Sequence, residues 1–126
     1  MGRQIIHTPN APASPSFSQG VKAGPFVFVS GMTGTDPRTG QLAGATIQPQ
    51  TLQALENCEQ VLLAVGATRD AVVEVQVLLA RPEDFAGMNA AYVTVFASDP
   101  PARSVAKLGV ELPGVLVSIR MTAFVG

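Results

Sequence analysis

The residue best placed for chemistry in this 126-residue chain is Arg103, in the run Pro100-Pro101-Ala102-Arg103-Ser104. It leaves a proline turn and enters an apolar segment, Val105 to Val110. Proline fixes its own φ and restricts the residue before it, so the guanidinium stands on a stiff platform. A planar fork held still suits bidentate recognition of a small carboxylate. The plainer alternative is an arginine paired with a surface acid, an interaction of small net value.

Other reactive side chains point to no second centre. One cysteine, Cys58, excludes an intrachain disulfide, and with His7 as the sole histidine there is no structural zinc cage. Cys58 falls within a predicted helix and reads as a buried, inert thiol; His7 reads as structural. Gly34 to Gly40 reads as a hairpin loop around Asp36-Pro37-Arg38-Thr39-Gly40, because it lacks the Gly-Lys-Ser/Thr ending of a phosphate cradle. No metal or organic cofactor is expected.

The elements that must position Arg103 follow from periodicity. Strands are expected over Arg3 to Thr8, Phe26 to Gly31, Asp70 to Ala80, Ser104 to Val110 and Val115 to Phe124. In the third of these, Val73, Val75, Val77 and Leu79 share a face opposite Glu74 and Gln76. Helices are expected over Gln48 to Val65, with Leu52, Leu55, Val61, Leu62 and Val65 at helical spacing and Gly66 as cap, and over Asp84 to Phe96. Asn10 to Gly20 reads as an ordered loop. Such a chain makes one domain, residues 1–126, with two helices on one side of a mixed sheet in a two-layer α+β arrangement. The free face of that sheet needs a cover, and only 13% of the residues are charged, so self-association is expected. Composition alone leaves dimer and trimer open.

Net charge is −1 with no basic block, against general nucleic-acid binding. Glu74 and Gln76 interrupt the longest apolar run, against a membrane span. Met1 to Ile6 lacks the features of a secretory signal, and a cytoplasmic location is expected.

Pro100 to Ser104, taken with Val29-Ser30-Gly31, Phe85-Ala86-Gly87-Met88-Asn89 and Glu111-Leu112-Pro113, resembles the RidA (YjgF/YER057c/UK114) family, from about Pro12 to Ala123. The resemblance implies a chorismate-mutase-like fold, a homotrimer with clefts between subunits, and hydrolytic deamination of reactive 2-imino or enamino acids to 2-keto acids and ammonia. It gives Arg103 the substrate carboxylate as the catalytic anchor, and it places Ser30, Gly31 and Asn89 along the cleft. Phe17 stands where many members have tyrosine, and Val105 where the founding type has cysteine. Between Ser104 and Leu112-Pro113 the chain is one residue longer than that pattern.

The main departure lies in Val117-Ser118-Ile119-Arg120-Met121, where Arg120 occupies the position assigned to the family's glutamate. An arginine cannot act as a base near neutral pH. Two readings of Arg120 stand: a second guanidinium in the cleft, favouring a dianion, or a residue ion-paired to Glu111, Glu74 or a neighbouring subunit. The corresponding rival function is a trimer that binds a keto acid or dianion without turnover. Chorismate mutase itself fits poorly, since its several arginines and glutamate have no match here.

Overall fold

The computed structural model describes residues 2–126. In chain order its elements are β1 (Gln4–Ile6), β2 (Gly20–Ala23), β3 (Phe26–Thr33), β4 (Thr35–Asp36), β5 (Gln41–Leu42), α1 (Ile47–Leu63), β6 (Val72–Leu79), α2 (Phe85–Val95), β7 (Ala102–Lys107) and β8 (Val117–Phe124). Short 3-10 turns precede β6 and α2. The main sheet runs β1-β2-β3-β8-β6-β7, with β4 and β5 as a separate hairpin. β6 and β7 are parallel and the other pairs antiparallel, so the sheet is mixed as expected.

Alternation decides the layers. Val27, Val29, Val75, Val77, Leu79, Val117, Ile119 and Met121 are buried, and they form one core with Leu55, Cys58, Val61 and Leu62 of α1 and Met88 and Tyr92 of α2. Both helices therefore cover one face. The other face is open, and Ile5, Phe26, Phe28 and Phe124 are exposed on it. Phe26 and Phe124 meet edge to face with ring centroids 5.5 Å apart.

Buried amides peg the loops to this core. Gln50 of α1 donates to the carbonyls of Gly44 and Gly114 (both 2.9 Å) and accepts from the Leu116 N–H. Asn57, about two turns further along, donates to the carbonyls of Thr33 and Thr35. Gln19 exchanges hydrogen bonds with the Thr8 backbone and donates to the Ala11 carbonyl, which orders the Asn10 to Gly20 segment as a loop. Gln50 and Gln19 use both donor and acceptor of the amide, and Asn57 its N–H groups, to satisfy backbone groups that burial would otherwise strand.

The structure corrects four local expectations. β2 was not anticipated: its four residues include a single β-branched side chain, Val21, and only its pairing to β3 makes it a strand. Val73 is exposed, because a register shift between Val72 and Glu74 puts Val72 in the core instead. Leu52 is exposed on α1. β7 begins at Ala102 and ends at Lys107, so Gly109 and Val110 lie beyond it.

Candidate functional site

Arg103 is the second residue of β7, an edge strand. The chain reaches it through Asp99, which at φ 46° is the only non-glycine residue with positive φ among those described, followed by Pro100 and Pro101. In register Arg103 lies beside Val75, whose side chain enters the core, so the arginine points to the helix side of the sheet. There α2 receives it. Phe85, Asn89 and Tyr92 follow one another at i, i+4 and i+7, which stacks them along one stripe of the helix. Asn89 Oδ1 accepts a 2.7 Å hydrogen bond from Arg103 Nη1. The Tyr92 ring lies under the guanidinium with its centroid 4.7 Å from Cζ, and the Phe85 centroid is 5.9 Å away.

This arrangement fixes the guanidinium without neutralising it. Arg38, Arg69 and Arg81 each have an acidic partner, whereas no carboxylate lies within ion-pair distance of Arg103 among the described residues. Asn89 engages Nη1 alone, so the Nε–Nη2 edge remains for a bidentate anion. Tyr92 is only 3% exposed, and its hydroxyl has no hydrogen-bond partner. Burial pushes its phenol up, opposed in part by the Arg103 charge, so the ring stays a neutral platform.

Ser30 and Gly31 sit elsewhere, at the register shift between Val29 and Met32 where β3 leaves its ladder with β8. Ser30 Oγ donates to the Ser18 carbonyl, and Ser30 N–H donates to the Gln19 carbonyl. A Cβ on Gly31 would lie 3.1 Å from Ser118 Oγ, so the glycine leaves a shallow gap above β8. Phe17 is exposed in the adjoining loop. In the sheet, β8 and β6 separate β3 from β7. Three inter-strand steps amount to roughly 14 Å. Within one chain, therefore, Arg103 and Asn89 form one group, and Phe17, Ser30 and Gly31 form another.

Arg120 stands on β8. It is in register with Gln76, whose Oε1 accepts from Arg120 Nε at 3.2 Å, on the face away from the helices. With Glu74, Gln76, Arg103, Ser104 and Thr122 it borders a concavity of about 210 Å³. Arg103 and Arg120 thus line one concavity, although their strand registers send their side chains off opposite faces of the ladder. Pairing of Arg120 to Glu74 or Glu111 of the same chain is not seen. Cys58 is fully buried, its thiol donates to the Ile119 carbonyl, and burial pushes it up, which suits an inert core residue. Among the described residues no group of three or more His, Cys, Asp or Glu is placed to hold a metal, and no helix is long and apolar enough to cross a membrane.

Sequence reasoning missed Tyr92 and Phe85 as partners of Arg103. Their spacing from Asn89 carried the signal, but a tyrosine on an apolar helix face reads first as core.

Comparison with known proteins gives the geometry its setting. The Endoribonuclease L-PSP family profile matches residues 8–125. A RutC family protein of Pyrococcus horikoshii is 37% identical over 97% of this chain and 98% of its own length. The 2-iminobutanoate/2-iminopropanoate deaminase of Mus musculus is 35% identical over 98% of this chain and 93% of its own. Among solved structures, RidA of a Psychrobacter species superposes with a TM-score of 0.89 at 33% identity, covering 96% of this chain and 98% of that one. Escherichia coli TdcF with bound serine gives 0.90 at 30% identity over the same shares. Nearly full-length matches in sequence and in fold place the chain in the Endoribonuclease L-PSP family, the RutC/RidA proteins.

Proposed function

We propose that the chain hydrolyses reactive 2-imino or enamino acids to 2-keto acids and ammonia, in clefts between the copies of a homotrimer. The observation that carries this is the Arg103 guanidinium: exposed, held by Asn89, seated on Tyr92, and without a counter-charge. It offers a fixed bidentate seat for a substrate carboxylate. The family membership and the deaminase named among its relatives supply the reaction class.

The chemistry asked of the protein is modest, since such imines hydrolyse unaided. With the carboxylate on Arg103, water adds to the C=N carbon to give a carbinolamine, which expels ammonia as the C=O forms. Orientation of the electrophilic carbon, and a positive charge beside the carboxylate, lower the barrier without a covalent intermediate. Arg103 is an anchor and not a base. The wall opposite is built by Phe17, Ser30 and Gly31 of a second copy, because the chain's own set lies three strands away. The open, aromatic sheet face supports the same assembly, since a closed ring of copies covers it.

The rival reading, a trimer that holds a keto acid without turnover, uses the same seat and is favoured by Arg120 standing where the family's glutamate is expected. One experiment separates them: ammonia release from freshly generated 2-iminopropanoate and 2-iminobutanoate, with native protein and Arg103→Ala. The expected result is acceleration by the native protein that falls at least tenfold in the variant. A folded native protein that binds 2-oxobutanoate but gives no acceleration overturns the enzyme in favour of the binder.

A further inference from the structure

The open face of the sheet bears one charge of each sign. Among the described residues that alternate onto it, Arg120 of β8 and Glu74 of β6 are the only ionised side chains; their neighbours there are neutral or apolar. They stand on adjacent strands in diagonal register, Glu74 opposite Thr122 and Gln76 opposite Arg120. They do not pair with each other. Arg120 Nε donates to Gln76 Oε1 at 3.2 Å, and Glu74 Oε1 accepts from Thr122 Oγ1 at 3.1 Å. Each is thus aimed by a neutral partner that leaves its charge intact. Between and around them lies the concavity of about 210 Å³, room enough for an incoming side chain.

The same face carries Phe26, Phe28 and Phe124, exposed and mutually packed, which makes it a surface for apolar contact. A charge carried from water into such a contact is tolerated only opposite a counter-charge. Further copies of this chain present what is missing: in a closed ring one neighbour brings its glutamate to this arginine, and the other its arginine to this glutamate. From this charge complementarity we infer that Arg120 of one copy pairs with Glu74 of the next, and that this ion pair, repeated around the ring, fixes the register of self-association. Resting on the intersubunit reading above, the pair also aligns Arg103 of one copy with Phe17, Ser30 and Gly31 of its neighbour. Arg120 is then a specificity residue of the assembly, on the rim of a concavity that Arg103 also lines.

Sedimentation velocity on the full chain tests this with Arg120→Glu, Glu74→Arg, the double variant, and an equimolar mixture of the two single variants, at low and high salt. The native protein is expected to be assembled. Each single variant, with like charges facing across the contact, is expected to dissociate at least tenfold more readily, and the double exchange to restore native assembly. The mixture is expected to form larger species than either single variant alone. A pair made within one copy cannot produce that last result. Single variants that assemble like the native protein overturn the inference, as does a folded double variant that stays dissociated, or a mixture that shows no recovery. A native protein that is monomeric overturns the intersubunit reading itself, an outcome distinct from an assembled native protein indifferent to the charge changes.

Discussion

At the scale of single residues, the proposed function depends on Arg103 being immobile before a ligand arrives. Asn89 supplies one hydrogen bond and Tyr92 the surface beneath, so the fork is already set when a carboxylate reaches it. The two contributions separate by substitution. Tyr92→Phe keeps the ring and removes a hydroxyl that has no partner, so it is expected to leave activity and stability close to native. Tyr92→Leu removes the ring face, an interaction of about 0.5–1 kcal/mol at an exposed cation, and KM is expected to rise roughly two- to fivefold with kcat little changed. Steady-state kinetics on 2-iminopropanoate check both. Loss in the phenylalanine variant equal to that in the leucine variant contradicts the platform role. Arg103 and Asn89 were legible in the sequence because the proline turn and the helix motif are local. Tyr92 was not, since its role exists only once β7 lies against α2.

At the scale of elements, the position of β3 and its hairpin on α1 is set by close backbone approach. A Cβ on Gly34 would lie 2.6 Å from both Cα and O of Gln50, and backbone cannot move aside as a side-chain tip does. The same Gln50 holds Gly44, Gly114 and Leu116, so a shift there reaches the entry to β8. Gly34→Ala is expected to destabilise the fold by about 1–3 kcal/mol, the range for overpacking a tight contact. Urea unfolding with an unchanged m-value checks it, and a native midpoint contradicts the account. The helices and the long strands were legible because their periodicity extends over many residues. What escaped were β2, the exposure of Val73 and the end of β7. These depend on pairing partners and on a bulge, which one-dimensional alternation does not carry.

For the whole molecule, the decisive observation is that one copy keeps two groups of the proposed site residues three strands apart. Arg103 and Asn89 line one edge of the sheet; Phe17, Ser30 and Gly31 lie three strands away; Arg120 faces the other side. The residue types were legible in the sequence, but their distribution over two faces was not, because a linear reading cannot tell a cleft within a chain from one between chains. The open aromatic face and the low charge content both support the proposed self-association. The most direct measurement is complementation: ammonia release from 2-iminopropanoate by Arg103→Ala and Gly31→Val, each alone and co-expressed as mixed assemblies. Valine at Gly31 fills the gap above β8 while the nearest atom, a serine hydroxyl, is free to turn aside. Each variant alone is expected to be inactive, and the mixture to regain activity from clefts that combine a native Arg103 with a native Gly31. Mixed assemblies that form and stay as inactive as their parents contradict a site shared between copies.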